Sequence, residues 1–182
     1  MAEVLLGVCG SAACFKAVAL ASALTQEGHG VQVIQTRAAT RLVAPLQFRC
    51  VTGRPALTDE WNPADAGGMD HIRLARRAEL FVVAPASAHT LARLAQGMGG
   101  DLLASTALAF DPARPRFFAP AMNPVMWAQA PVQRNVALLE GDGWRRLGPA
   151  EGPTACGEDG PGRMLEPEAI LETLRPYLAP PC

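Results

Sequence analysis

Val4-Leu5-Leu6-Gly7-Val8-Cys9-Gly10-Ser11 is the stretch on which the fold turns. It opens as an unbroken apolar run and stops at Gly10. A short apolar run closed by glycine fits a strand buried on both faces, the kind found in parallel sheets. Ser11 is a residue type that caps a helix N-terminus. Beyond it, Ala13, Ala17, Leu20, Ala21 and Leu24 recur at helical spacing, and Gly28 is a natural stop. Val31 to Gln35 is a second strand. Strand, helix and strand in this order begin a doubly wound α/β fold.

The same grammar runs outward along the chain. Leu80–Ala84, Arg116–Ala119 and Trp144–Leu147 read as strands. Ile72–Ala78, Ala88–Ala95, Leu102–Ala109 and Pro131–Leu139 read as helices, the last with Gly141 at its exit. Arg37–Val43 reads as a short helix broken near Pro45. Ala169–Leu174 reads as a closing helix that Pro176 ends or kinks. The stretch from Thr52 to Met69, with Pro55, Pro63 and Gly67-Gly68, reads as loops with room for one short strand. The prediction is one α/β domain over residues 1–182: a mostly parallel sheet of five to six strands with helices on both faces, in three layers. Ligands of such sheets sit beyond the carboxyl ends of the strands. The junctions to search are therefore Gly7–Ser11, Gln35–Ala39, Ala84–Thr90 and Ala119–Asn123. Gly148 to Gly162 is the densest Pro/Gly stretch, and a mobile flap is expected at about 148–165.

Composition narrows the class. Of 182 residues, 49% are hydrophobic and 18% charged, with a net charge of -1, so a core is affordable and a strongly basic surface is excluded. Nucleic acid is not an expected partner. No apolar run reaches the ~20 residues of a membrane span. The N-terminus lacks a basic region and a cleavage site, which argues against a secretory signal. Five widely spread cysteines, an odd number, suit reduced thiols, and a cytoplasmic location is expected. His29, His71 and His89 show no ligand spacing and no Cys-x-x-Cys occurs, so no metal is expected. Gly10-Ser11 opens a helix whose free N–H groups suit a phosphate, though a tight turn with a serine cap has the same sequence. It is neither Gly-x-Gly-x-x-Gly nor a P-loop. Ala84-Pro85-Ala86-Ser87-Ala88-His89-Thr90 joins small residues to hydroxyls just before a helix. That pattern serves either the approach of a flat ligand or capping by Ser87 or Thr90.

Three further segments are compositionally odd: Met69-Asp70-His71-Ile72-Arg73-Leu74-Ala75, Ala119-Pro120-Ala121-Met122-Asn123-Pro124-Val125-Met126-Trp127, and Ala155-Cys156-Gly157-Glu158-Asp159-Gly160-Pro161-Gly162-Arg163-Met164. With Gly10-Ser11 and Ala84–Thr90 they resemble the flavin-dependent cysteine decarboxylases, from Val4 to Pro167. The resemblance implies a flavodoxin-like, Rossmann-like fold that binds FMN. Gly10, Ser11 and Ala12 match the family's phosphate-side turn, and Thr36 matches a hydroxyl residue after the second strand. Ser87, Ala88, His89 and Thr90 match a Ser/Thr-Ala-Asn-Thr cluster on the flavin, with His89 in place of the usual Asn. Ala121 matches a backbone position near the ring. Asn123 matches the contact to the substrate carboxylate, His71 the active-site histidine, and Cys156 the cysteine of a flap that closes over substrate. Arg163 and Met164, on the same loop, are further substrate-binding candidates, Arg163 for a phosphate. Met126 and Trp127 read as packing, and Cys9, Cys14 and Cys50 as buried thiols. Cys182, at the terminus, is given no role.

The reaction implied is FMN-dependent decarboxylation of 4′-phosphopantothenoyl-L-cysteine (PPC) to 4′-phosphopantetheine in coenzyme A biosynthesis, the work of a carboxy-lyase. Cysteine alone has no electron sink for the carbanion that carbon dioxide would leave. Oxidising its thiol carbon to a thioaldehyde creates one, and the flavin takes the hydride. In this reading His71, an imidazole near ~6.5, is the base for that oxidation. Asn123 offers the leaving carboxylate an uncharged amide, because a cation would stabilise the ground state that must be discharged. Cys156 returns a proton to the ene-thiolate under a closed flap, and the reduced flavin returns the hydride, so the thiol ends saturated and the flavin ends where it began. Two other functions stay open: oxidative decarboxylation of a peptide's C-terminal cysteine, and flavin binding by a regulatory subunit without turnover. A nicotinamide dehydrogenase stands further off, since the glycine fingerprint is missing. The resemblance also implies a homotrimer, or a dodecamer of trimers, with flavin near the subunit boundary. A separate phosphopantothenate–cysteine ligase is expected, because the chain ends at Cys182.

Overall fold

The computed structural model describes residues 1–61 and 68–178; Pro63, Gly67 and Cys182 lie outside the described residues. Five strands form one sheet: β1 Glu3–Val8, β2 Gly30–Gln35, β3 Leu80–Ala86, β4 Arg116–Pro120 and β5 Trp144–Arg146. Their order is β2-β1-β3-β4-β5, and every pairing is parallel. Among the described residues eight α-helices accompany them: α1 Cys14–Gln26, α2 Pro45–Thr52, α3 Asp70–Arg77, α4 Ala88–Ala95, α5 Leu102–Ala109, α6 Pro124–Ala128, α7 Ala130–Gly141 and α8 Pro167–Leu178.

Strand alternation divides the core in two. Leu6, Val82 and Phe117 face the side covered by α1, α2 and α8. Leu5, Phe81 and Phe118 face the side covered by α3, α4, α5 and α7. Phe48, Phe81, Phe117 and Phe118 are fully buried, each contributing about 1.5–3 kcal/mol on that account. The chain leaves β1 toward β2 on one face and returns past β1 to β3 on the other. The reversal opens a crevice at the carboxyl ends of β1 and β3.

The architecture expected from the sequence stands, in its five-strand form. Among the described residues between Thr52 and Met69, the short strand sought is only a single bridge, Ile34 to Leu57. Arg37–Val43 shrinks to a 3₁₀ turn at Ala39–Arg41. Pro45 starts a helix instead of marking a break, since proline's missing N–H is no loss at the first helical position. Pro124 does the same for α6, five residues long and not foreseen. Gly141 lies inside α7, and the left-handed exit residue is Gly143 at φ 88°. Pro176 neither ends nor shortens α8. An interior proline costs ~3 kcal/mol, but Ile170, Leu171, Leu174 and Leu178 are all buried along this helix and outweigh it. Beyond Pro176, the Arg145 guanidinium from the β4–β5 side lies 4.5 Å from the Tyr177 ring centre and holds the last turn.

Candidate functional site

A cavity of about 560 Å³ lies beyond the carboxyl ends of β1, β3 and β4. That is the size range of small-molecule sites, at the position where open α/β sheets bind ligands. A smaller cavity of about 350 Å³ lies at the opposite edge, where β4 and β5 begin. None of the motifs singled out in the sequence reaches it.

The first wall is the turn between β1 and α1. A side chain at Gly10 would put its Cβ 2.5 Å from Cβ of Ala38, so only glycine lets this turn close against the chain leaving β2. Ser11 Oγ accepts from Ala13 N–H at 3.3 Å and donates to the Ala121 carbonyl at 3.4 Å. It thus ties the first turn to the end of β4. It does not cap α1, whose cap position is Ala13 with no side-chain bond. Ala12, Phe15 and Lys16 complete this wall.

The second wall is the β3–α4 junction. Ser87 Oγ caps α4 by accepting from Thr90 N–H at 3.3 Å, and Ser87 and Ala88 line the cavity. Thr90 is buried beneath them, its hydroxyl 3.2 Å from Ser87 Oγ.

The third wall comes from β4 and the flap. Asn123 Oδ1 caps α6, accepting from Val125 N–H at 2.7 Å and Met126 N–H at 3.2 Å. Asn123 Nδ2 donates to Cys156 Sγ at 3.4 Å and to Glu158 Oε2 at 2.5 Å. The flap folds as a narrow hairpin, with bridges Ala150–Arg163 and Pro153–Asp159. Gly162 anchors it: its carbonyl accepts from Met122 N–H at 3.0 Å, and a Cβ there would lie 2.3 Å from the Met122 oxygen.

Cys156 is exposed at the flap tip, and Thr154 Oγ1 lies 2.9 Å from its sulfur. Hydrogen bonds with Thr154, then Asn123, then the Glu158 backbone hold its thiol below the ordinary thiol range, against opposing pushes from desolvation and then the Glu158 charge. Burial does the reverse elsewhere: the Cys9 thiol is pushed up to about 12, and Cys14 is raised as well. Cys50, expected to be buried, is exposed on α2.

Ten of the residues singled out in the sequence therefore converge on one cavity: Gly10, Ser11, Ala12, Ser87, Ala88, Ala121, Asn123, Cys156, Arg163 and Met164. Met164 is 1% exposed and mostly core. Thr36 stands apart, its hydroxyl accepting from Ala39 N–H at 3.3 Å. His89 points to solvent on α4. His71 lies outside this cavity, near the start of α3, with Nδ1 3.3 Å from Glu60 Oε1. Met126, expected to pack, is 47% exposed and lines the cavity, while Trp127 packs in the core as expected.

Sequence reasoning missed Phe15, Lys16, Thr154 and Glu158. Lys16 had a signal: it sits three residues after Ala13 and four before Leu20, a charge on the buried stripe of α1. Its ammonium donates to the Met164 carbonyl at 3.1 Å and to Glu166 Oε1 at 2.8 Å, tying the base of the flap to α1. No group of three or more metal-ligating side chains occurs among the described residues.

The chain matches a protein-family model described as Flavoprotein over residues 1–178. It is 41% identical over 178 residues to the coenzyme A biosynthesis bifunctional protein CoaBC of Vibrio vulnificus, covering 98% of this chain and 44% of that protein. The chain thus spans less than half the length of that curated relative. A solved PPC decarboxylase variant in complex with pantothenoylaminoethenethiol superposes with a TM-score of 0.85 at 32% identity, covering 97% of both chains. The FMN-dependent cysteine decarboxylase SpaF superposes with a TM-score of 0.83 at 31% identity, covering 98% of both.

Proposed function

Because the chain belongs to the Flavoprotein family, we propose that it binds FMN in the 560 Å³ cavity and decarboxylates 4′-phosphopantothenoyl-L-cysteine to 4′-phosphopantetheine. The sheet order β2-β1-β3-β4-β5 supports the cofactor, since flavodoxin-type sheets hold FMN at the crevice between their first and third strands. The residues present fit it. Gly10 leaves backbone room for a phosphate at the β1–α1 turn, Ser87 and Ala88 offer a hydroxyl and a small side chain, and Phe15 and Met126 supply apolar wall.

One observation carries the activity: Asn123 and the Cys156 thiol touch at the mouth of that cavity. Bound FMN would supply the hydride acceptor for the thiol oxidation and, once reduced, the hydride that returns the decarboxylated intermediate to a saturated thiol. The chain's own groups supply the rest. Asn123 is fixed by capping α6 with its oxygen, so its amide nitrogen points at the flap and can meet a carboxylate without a positive charge. Loss of the carboxylate is then not opposed by an ion pair. Cys156, with its proton more readily given than an ordinary thiol's, protonates the ene-thiolate left on the substrate. The hairpin of 150–163, anchored at Gly162, is the segment that would cover the reacting atoms once substrate is bound. Arg163 lines the same cavity and is the cation for the substrate phosphate.

His71 enters this scheme through a second copy of the chain. It lies outside the cavity of its own chain, and beside it Trp61 and Met69 are 88% and 62% exposed. A homotrimer, or a multiple of one, that covers these side chains would bring His71 to a neighbour's cavity as the base. PPC contains a cysteine joined to phosphopantothenate, so a ligase is the partner activity. The unpaired described cysteines support a cytoplasmic setting.

The test is release of carbon dioxide from carboxyl-labelled PPC by the purified protein, with and without FMN. The expected outcome is release that depends on FMN. No release with flavin bound would favour the binding-subunit reading instead.

A further inference from the structure

The amide of Asn123 is fully engaged before any substrate arrives. Its oxygen accepts two backbone N–H groups, and its two N–H donors go to Cys156 Sγ and Glu158 Oε2. An amide has two donors and two acceptor sites, so none is left over. The tightest of the four contacts is the 2.5 Å one to a carboxylate, the same chemical group that the proposed substrate carries.

Glu158 reaches Asn123 from the flap tip, two residues beyond Cys156, and among the described residues its side chain has no other hydrogen-bond or ion-pair partner. Its backbone is held separately: the Glu158 carbonyl accepts from both Thr154 Oγ1 and Thr154 N–H at 2.9 Å. The carboxylate can therefore leave Asn123 while the hairpin keeps its shape. Nearby cations do not hold it either: Arg163 and Lys16 both face Glu166, at 3.7 and 2.8 Å.

Resting on the reading of Asn123 given above, we propose that Glu158 is a carboxylate stand-in that occupies the substrate-carboxylate position on Asn123 and is displaced by substrate. The residue sets specificity in two directions. A carboxylate-bearing ligand must eject Glu158 and then sits beside its negative charge, which disfavours the bound ground state. A ligand that has lost its carboxylate leaves Asn123 to Glu158, and the flap tip settles back over it. Glu158 is a positioning residue here, acting through Asn123 and not on the reacting atoms.

The test uses the FMN-loaded protein and two non-reacting probes: the S-methyl ether of PPC and the S-methyl ether of 4′-phosphopantetheine. Calorimetry gives a Kd for each, and the quantity of interest is their ratio. Glu158→Gln keeps an acceptor for Asn123 and removes the charge. It is expected to bind the carboxylate-bearing probe about tenfold tighter, with the carboxylate-free probe within about twofold of wild type. Glu158→Ala, which cannot occupy Asn123, is expected to shift the ratio the same way. Asn123→Ala is expected to weaken the carboxylate-bearing probe alone. A ratio unchanged in both Glu158 variants overturns the stand-in role, even if Asn123→Ala behaves as expected. A ratio unchanged in Asn123→Ala overturns Asn123 as the carboxylate contact and the stand-in with it. Failure of wild type to bind either probe overturns the substrate reading beneath both.

Discussion

Asn123 Nδ2 lies 3.4 Å from Cys156 Sγ while the oxygen of the same amide caps α6. One side chain thus sets the register between the end of β4 and the tip of a flap 33 residues away in sequence. Its structural and chemical duties use different atoms, so substitution can separate them.

Asn123→Asp keeps the capping oxygen and loses the amide donors. Folding stability is expected to stay within about 0.5 kcal/mol of wild type, because aspartate caps as well as asparagine. Carbon dioxide release is expected to fall at least about tenfold, since a second carboxylate then faces Glu158 and the substrate. Asn123→Ala is expected to lose both, with about 0.5–2 kcal/mol of stability gone with the cap. Denaturant titration and the release assay, run on both variants, check the split.

The cysteines are expected to differ sharply in reactivity. The thiolate is the species that an alkylating agent traps, and its fraction rises with pH through the thiol's pKa. Hydrogen bonds to Cys156 place that rise below the ordinary value of 9.0. In a Cys50→Ser background, iodoacetamide should modify Cys156 with a midpoint below 9.0. Thr154→Val should move the midpoint up, because Thr154 is the largest of the lowering contacts. Cys9, buried and pushed up to about 12, should stay unmodified while the fold holds.

Gly162→Ala tests the flap anchor. Gly162 has φ 143°, and the new Cβ would lie 2.3 Å from a backbone oxygen. Strain of about 1–3 kcal/mol is expected, relieved by releasing the hairpin from β4. Faster proteolytic cleavage within 150–163, with the rest of the domain intact, is the readout. Unchanged cleavage would show that the flap is held elsewhere.

Lys16→Ala leaves the Met164 carbonyl without its donor and Glu166 with Arg163 alone, at 3.7 Å. A loss of about 1–3 kcal/mol is expected from the unsatisfied carbonyl, with the Glu166 pair, half exposed, adding little. Lys16→Arg should restore much of it. Denaturant midpoints of the three proteins decide.

Much of this molecule was legible in its sequence where one physical rule dominates. The strands announce themselves because both faces of a parallel sheet are buried, so Val4–Val8 and Leu80–Ala84 are apolar without interruption. The cavity walls were legible because turns at strand ends need Gly10, Ser87 and the flap glycines. What escaped involved competition. Pro45, Pro124 and Pro176 could each break or begin a helix, and packing around Phe48, Trp127 and Ile170 decided. Lys16 and Glu158 acquire meaning only from partners far along the chain, at Met164 and Asn123, which no local spacing reveals. His71 was legible as a residue but not as a location: it stands at the start of α3 beside Glu60, outside the cavity at the strand ends.

The mass of the thiol formed from PPC by the FMN-loaded protein tests the central claim most directly. The account expects a product that has lost carbon dioxide and nothing else from wild type, and one lacking two further hydrogens from Cys156→Ser. A wild-type product lacking those two hydrogens would contradict it, and would assign the chain to oxidative decarboxylation with Cys156 outside the chemistry.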